Sequence, residues 1–197
     1  MVRWQPGAAD RLRIAALDLF EEHGYDQTTV AGIADRAGVT ERTFYRHFPD
    51  KREVLFAGSE QLAERASAAV SAAPQGAAPS LLVDAALAGL AESFPDERRP
   101  FSRRRQARLD SEPALREREL LKLSTLKGTL VGALAARGAS APAATMTAEA
   151  VLSVFHVAFL RWIEEDQQRS MAELQQEALA ELRAALGGAG TSAEEGR

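Results

Sequence analysis

Cysteine is absent from this 197-residue chain, and aromatic residues make up only 6% of it. A protein without cysteine can form no disulfide, no thiolate metal site and no thiol-based redox switch. We also find no amino-terminal apolar segment of the signal-peptide type and no run of 18 uninterrupted apolar residues. These absences predict a cytoplasmic protein that is not secreted and does not span a membrane.

Patterns typical of catalysis or metal binding are lacking as well. The chain has three histidines, His23, His47 and His156, and no two of them have the spacing of metal ligands. It contains no P-loop, no G-x-S-x-G segment and no dinucleotide-binding fingerprint. We therefore predict no catalytic residue, no metal site and no cofactor, and we do not expect an enzyme.

The chain is instead rich in helix-forming sequence. Hydrophobic residues make up 46% of it, and the alanine-rich pattern has few strand signals, which indicates a packed all-α protein. Apolar periodicity and capping signals predict about nine helices. For the later helices the predicted bounds are 51–73, 80–94, 99–109, 113–137, 147–165 and 171–186.

Residues 27–51 have the layout of a helix-turn-helix, with its core at about 29–48. Threonines precede each of two short segments of helical pattern, where a hydroxyl can cap the first turn of a helix. Gly38 lies between the runs and can adopt the positive φ of a tight turn. Pro49 ends the second helix, which we expect to cover residues 41–47. In such a motif the second helix enters the major groove of DNA.

The period of the second helix separates its inward and outward faces. Phe44 and Phe48 are four residues apart and should point inward. Arg42 is the best candidate for reading a guanine, because its guanidinium matches the O6 and N7 acceptors. Lys51, at the expected start of the fourth helix, is the best candidate for a phosphate contact. The full set of candidate DNA-binding residues is Thr28, Thr29, Thr40, Arg42, Thr43, Tyr45, Arg46, His47 and Lys51.

Each of these residues also has a plainer interpretation. Thr29 and Thr40 can be helix caps only, Tyr45 can be half-buried packing, and Arg46 can be a solvated charge. Helical spacing places several of these residues on one side of the motif, and this shared position favours a DNA-binding face. The first 56 residues carry eight basic and nine acidic side chains, so we expect specific binding rather than indiscriminate coating of DNA.

Residues 8–56 resemble the DNA-binding domain of the TetR family of transcriptional regulators. The resemblance rests on the segments 14–20, 24–25, 28–30, 33–39 and 43–48, followed by Lys51 and residues 54–55. It implies a helical homodimer that binds a palindromic double-stranded operator and releases it when a small molecule enters a carboxy-terminal pocket. Ala31 departs from the pattern, since some members place a base-contacting basic residue there.

The resemblance suggests three segments: a DNA-binding domain at 1–56, a helical ligand-binding and dimerisation domain at 57–187, and a disordered tail at 188–197. The eighth helix is apolar on nearly all sides, which requires burial on more than one side. A four-helix bundle with two helices from each subunit would supply that burial, although the centre of a monomeric bundle is the alternative. The predicted interface residues are Val151, Phe155, Phe159, Trp162, Leu174 and Leu182.

Six arginines cluster between residues 98 and 108. A solvated helix face explains them most simply, whereas the sharper hypothesis is that Arg104 and Arg108 bind an anionic ligand. Residues 105–138 resemble the carboxy-terminal domain of mycofactocin-system regulators, which implies an acyl-CoA-like effector. Taken together, the sequence predicts a ligand-responsive homodimeric repressor. The alternatives are an activator of the same family and a helical ligand-binding protein that has lost DNA binding.

Overall fold

The computed structural model describes residues 7–187, which form nine α-helices and no β-strand. This result confirms the predicted all-α class and helix number. The predicted disorder of residues 188–197 lies outside the described residues. The helices are α1 (Ala8–His23), α2 (Val30–Arg36), α3 (Glu41–His47), α4 (Ser59–Ala72), α5 (Pro79–Ala91), α6 (Arg99–Ser111), α7 (Pro113–Ala136), α8 (Ala141–Trp162) and α9 (Met171–Gly187).

The described chain divides into two compact units. The first contains residues 7–60 together with 100–124, and the second contains residues 61–99 together with 125–187. This division differs from the predicted boundary after residue 56, because most of α6 and the first half of α7 belong to the first unit. Helical periodicity identifies an apolar face but does not say which other helix covers it.

The core of the first unit is built from the buried faces of α1, α2 and α3. Leu12, Leu17 and Phe20 are at most 1% exposed, and Phe44 of α3 is fully buried in the same cluster. Leu115 of α7 is also fully buried in this cluster. Helices α1, α2 and α3 therefore share their core with α7, which lies far from them in sequence.

The core of the second unit lies among α4, α5, α8, α9 and the second half of α7. Helices α4 and α5 approach closely at Gly89, where an added Cβ would lie 2.6 Å from the carbonyl oxygen of Arg65 and 3.0 Å from the Cα of Ala66. Only glycine fits this approach without a shift of the α4 backbone.

Helix α8 is the one described helix whose length and apolar composition would allow it to cross a membrane. The core helix of a soluble protein meets the same criteria. Val151, Ala158 and Trp162 of α8 are fully buried in the second unit. This burial accounts for part of the apolar character of the helix.

Two predicted helix starts are wrong. Helix α4 begins at Ser59 rather than at residue 51, because a single 3-10 turn (Glu53–Leu55) and Gly58 with a φ of +93° precede it. Helix α8 begins at Ala141, inside a segment predicted to be a loop. The hydroxyl of Ser140 accepts from the backbone N–H of Ala143 there, and a proline in the first turn costs no helical hydrogen bond.

Candidate nucleic-acid interface

Two capped helices and a glycine turn form the helix-turn-helix. The hydroxyl of Thr29 accepts from the N–H of Gly32 at 3.1 Å, and that of Thr40 accepts from the N–H of Thr43 at 3.2 Å. Gly38 has a φ of +65° in the turn between them. The bounds of α3 and both caps thus confirm the predicted local structure.

Helix α3 presents aromatic side chains inward and polar side chains outward. Phe44 and Phe48 are buried, with their ring centroids 5.6 Å apart. Tyr45 is 56% exposed. Arg42 and Arg46 are also exposed, and neither forms a hydrogen bond or ion pair with another residue in the range 7–187. Both guanidinium groups keep their donors available to an external acceptor.

The remaining polar candidates on α3 differ in their surroundings. His47 is exposed, with its ring centroid 6.1 Å from that of Phe48. The hydroxyl oxygens of Thr40 and Thr43 lie 3.1 Å apart, so one donates to the other. This pair orients Thr43, which is half-buried beside Arg42.

Thr28 is placed inside the unit rather than on its surface. The residue is 4% exposed, and its hydroxyl lies 2.8 Å from the carbonyl oxygen of Gly24 and 3.1 Å from that of Leu19. The hydroxyl therefore anchors the start of α2 to the end of α1. This burial contradicts a DNA contact through the Thr28 side chain, and we remove it from the DNA-facing set.

Lys51 is also engaged within the protein. Its Nζ lies 2.8 Å from the carbonyl oxygen of Tyr25, 3.1 Å from that of Thr28 and 3.4 Å from that of Asp26. The same Nζ lies 4.3 Å from the centroid of the Tyr25 ring. The prediction placed Lys51 among the free amides of a long helix, but no α-helix begins there.

Two other cations near the helix-turn-helix are paired with carboxylates. Both terminal nitrogens of Arg36 donate to Glu22, at 2.8 and 2.7 Å. Arg52 donates to Asp50 at 3.0 Å. Each carboxylate neutralises the cation beside it. On α3, Arg42 and Arg46 have no paired carboxylate among residues 7–187.

The arginines of α6 do not form a solvated helix face. Arg104 in addition is not open to an anionic ligand. Arg104 donates to Asp18 at 2.6 Å and to Glu21 at 2.6 Å, and the hydrogen bonds to Glu21 are the main reason why its pKa is raised. Arg105 donates to Glu119 at 2.6 Å. The ligand role predicted for Arg104 is thus contradicted by its ion pairs with α1.

The predicted partner of Arg104 in ligand binding, Arg108, is half-buried on α6. Its Nε is buried and has no hydrogen-bond partner in the described part of the chain. The residue belongs to the first unit, like Arg104. The sequence signal that could have revealed the pairing of Arg104 is the acidic pair Asp18 and Glu21, which lie on one face of α1.

Glu53 has a role that the sequence analysis missed. Its carboxylate accepts from the Nε of Arg118 and lies 3.0 Å from the Nζ of Lys122, both on α7. Burial alone would raise the pKa of Glu53, but the hydrogen bonds from Arg118 and Lys122 outweigh it and lower the pKa below its ordinary value. The segment after α3 is thereby held to α7 by ion pairs.

The residues predicted for the dimer interface lie mostly in the core of one chain. Trp162 and Leu174 are fully buried, and Trp162 donates from its indole nitrogen to Asp96 at 3.2 Å. Leu182 is only half-buried. The prediction selected the largest apolar residues, and those are the ones that the chain buries against its own helices. Val151, Phe155 and Phe159, which were also predicted for the interface, are buried in the same core.

A different face of α8 remains open. Met146 is 66% exposed, and Val157 and Leu160 are each 40% exposed. With Ala150 and Ser153 between them, these residues recur at alternating intervals of four and three, which is the spacing of a coiled-coil seam. We name residues 146, 150, 153, 157 and 160 the α8 seam.

Comparisons with known proteins cover both parts of the chain. Residues 13–58 match the family described as "Bacterial regulatory proteins, tetR family", and residues 77–187 match the family described as "MftR C-terminal domain". The HTH-type transcriptional regulator TcmR of Streptomyces glaucescens is 41% identical over 70 residues, which are 36% of this chain and 31% of TcmR. The chain thus matches about a third of the length of this curated relative.

Solved structures with the same fold match nearly the whole chain. A TetR-family regulator from Syntrophomonas wolfei has a TM-score of 0.59 at 16% identity, covering 95% of this chain and 98% of the other. Thermus thermophilus FadR, a TetR-family repressor solved with lauroyl-CoA, has a TM-score of 0.52 at 22% identity, covering 95% and 97%. Such identities show the fold alone. The two family matches establish that the chain belongs to the TetR family of DNA-binding transcriptional regulators and carries an MftR-type carboxy-terminal domain.

Proposed function

We propose that this protein is a homodimeric repressor that binds a palindromic operator through α3 and releases it when a small molecule binds the second unit. The observation that carries the proposal is the outward face of α3, where Arg42 and Arg46 are exposed and form no bond with other described residues. The caps and the buried Phe44 fix the helix that presents them.

The chemistry of this face fits the major groove. Seven residues of α-helix span about 10 Å, close to the roughly 12 Å width of the groove. Arg42 lies in the first turn, where its two parallel donors can reach O6 and N7 of a guanine. Thr43 lies beside it, and the hydroxyl of the exposed Tyr45 suits a phosphate oxygen. Thr29, Thr40, Arg46 and His47 complete the proposed contact set.

The α8 seam supports dimerisation. An exposed apolar stripe with coiled-coil spacing on a 22-residue helix is suited to pack against the same stripe of a second copy. A twofold dimer would present two copies of α3 to half-sites about 34–36 Å apart, or a multiple of that distance. The proposed interface therefore consists of the α8 seam instead of the buried residues predicted from sequence.

The second unit suits a hydrophobic effector. Its core is almost entirely apolar, and the FadR structure of the same fold holds lauroyl-CoA. We infer an acyl-CoA-like or other hydrophobic effector for this chain. A ligand that binds the state with wrongly spaced reading heads more tightly lowers operator affinity by shifting the population toward that state.

Selection from random duplex DNA by the purified full-length protein tests this function directly. A palindromic consensus is the expected result, and it would support both the reading helix and the dimer. Absence of any enriched sequence at low salt would contradict operator binding. The alternative, a helical ligand-binding protein that no longer binds DNA, would then be favoured.

Replacement of Arg42 should change the base preference at one position in each half-site. We expect Arg42→Ala to weaken binding of the consensus by about 1–3 kcal/mol, because a bidentate contact to one base pair is lost. Competition of the consensus against single-base variants measures the effect. Arg42→Lys is the matched control: it keeps the charge but loses the two parallel donors, so it should also lose the preference. Unchanged preference in both variants would contradict the assignment.

Lauroyl-CoA should weaken operator binding if the effector is acyl-CoA-like. We expect its saturation to lower operator affinity about 5–150-fold, the usual range of allosteric coupling. Fluorescence anisotropy of a labelled operator measures the change, with free coenzyme A and laurate as controls for the two halves of the molecule. Higher affinity with lauroyl-CoA would contradict release by this effector and favour activation.

A further inference from the structure

Gln175 lies on the buried face of α9 and is only 1% exposed. Helix α9 packs against α8 and α5. The neighbours of Gln175 on the same face follow the spacing of one side of a helix, and they are Met171, Leu174, Ala178 and Leu179. All four are buried in the apolar core of the second unit. A polar amide side chain is thus enclosed among apolar residues.

The amide nitrogen of Gln175 has no hydrogen-bond partner among residues 7–187. An amide group carries two N–H donors, and a buried donor without an acceptor destabilises the folded state. Arg99 is also buried in the second unit, but its terminal nitrogens donate to the carboxylate of Asp96 and to two backbone carbonyls of the α8–α9 loop. The donors of Gln175 are instead unused.

Three kinds of partner can accept a hydrogen bond from this amide: a water molecule, a second copy of the chain, or a small molecule. A stable buried water needs about two to four polar partners, and the other buried residues on this face of α9 offer only apolar side chains. A second copy cannot reach a side chain that a single chain already covers. A small molecule that enters the core is the partner that these observations favour.

The surroundings of the amide also restrict the chemistry of such a ligand. An ionised group in this core would need a buried cation beside it. The cation buried in the second unit, Arg99, is already paired with Asp96. A carbonyl oxygen accepts from an amide without bringing a charge into the core. An apolar chain that carries a neutral carbonyl therefore fits, whereas a free carboxylate does not.

We propose that Gln175 is a ligand-binding residue of the second unit, and that its amide donates to the thioester carbonyl of an acyl chain held in the core among α5, α8 and α9. The proposal rests on the acyl-CoA-like effector of the proposed function and names the group that recognises it. Ligand binding then satisfies a donor that is unpaired in the ligand-free protein.

Gln175→Met tests the unpaired amide in the ligand-free protein. Methionine is unbranched and of similar length, so it fills the same space without the unpaired donors. We expect the melting temperature of this variant to exceed that of the wild-type protein by about 2–8 °C. Gln176→Met is the matched control, because Gln176 is the next residue of α9 and is exposed, and its melting temperature should change by less than about 2 °C.

A melting temperature of Gln175→Met at or below the wild-type value, or failure of this variant to fold, would overturn the proposal. Either result would show that the amide is paired within the protein. A residue with a purely structural role therefore gives the opposite sign of change from a residue that awaits a ligand.

Two ligands that differ only at the thioester test the carbonyl contact. S-dodecyl-CoA carries a chain of the same length as lauroyl-CoA, but on a thioether that lacks the carbonyl oxygen. We expect the wild-type protein to bind lauroyl-CoA about 5–150-fold more tightly than S-dodecyl-CoA. In Gln175→Met the two affinities should become equal, while Gln176→Met should keep the wild-type preference. Calorimetric titration without DNA measures all six affinities.

Equal binding of the two compounds by the wild-type protein, or a preference that survives in Gln175→Met, would overturn the carbonyl contact. Binding of neither compound would overturn it as well. Failure of the proposed function is distinguishable from these results, because no DNA is present in the titrations. If lauroyl-CoA binds with the expected preference and the operator stays bound, release by this effector is wrong and the Gln175 site stands.

Discussion

Replacement of Val157 and Leu160 by arginine should convert the protein to a 21.2 kDa monomer and nearly abolish operator binding. Both side chains are 40% exposed on the α8 seam, so a single folded chain tolerates the change. In a symmetric dimer each arginine would face an apolar stripe and its own copy. We expect operator affinity to fall about 10²–10⁴-fold, because two linked half-site contacts become one.

Sedimentation analysis and operator titration measure this prediction together. Leu120→Arg is the matched control, because Leu120 is 62% exposed on α7 and lies outside the α8 seam. We expect the control to remain a dimer and to bind the operator normally. A Val157→Arg, Leu160→Arg protein that still sediments as a dimer would place the interface on another surface.

Phe44→Ala should strongly destabilise the DNA-binding unit while leaving the exposed side chains of α3 chemically unchanged. Phe44 is fully buried, in contact with Phe48 on α3. Removal of a buried phenylalanine side chain costs about 3–5 kcal/mol, a large part of the roughly 5–15 kcal/mol that stabilises a typical domain. We expect loss of operator binding together with faster amide exchange throughout α1 and α3.

The neighbouring residue gives the control. Tyr45 is 56% exposed, so Tyr45→Ala should change the stability of the unit by less than about 0.5 kcal/mol. This variant should keep slow amide exchange in α1 and lose only the contribution of its hydroxyl to DNA binding. Equal exchange rates in Phe44→Ala and the wild-type protein would contradict the central place of Phe44 in the core.

Local sequence signals were sufficient to predict the structure of the helix-turn-helix. Thr29, Thr40 and Gly38 act within three or four residues of themselves, so caps and the turn follow from chemistry that the sequence displays directly. The capping box of Ser170 and Glu173 is local in the same way. The predicted start of α4 was wrong because a 3-10 turn follows α3, and the N–H of Glu53 in that turn donates to Asp50 as it would at the start of an α-helix.

Long-range partners were beyond the reach of the sequence. From the sequence alone, Arg104 cannot be distinguished from a surface charge. Its ion pairs with Asp18 and Glu21 become apparent only once α6 is known to pack beside α1. The contact of Lys51 with the carbonyl oxygen of Tyr25 was out of reach in the same way, because the two residues are 26 positions apart. The choice of interface residues was limited in the same way, because only the packing of α5 and α9 onto α8 decides which of its apolar sides remains open.

The pairing of cations around the helix-turn-helix has a consequence for how the protein searches the genome. Arg36 and Arg52 are each paired with a carboxylate, which reduces the positive charge that the helix-turn-helix presents to DNA. Non-specific affinity and sliding along DNA depend on the number of phosphates that a protein neutralises. We therefore expect short residence on random sequence, frequent dissociation, and a search made largely by repeated three-dimensional encounters.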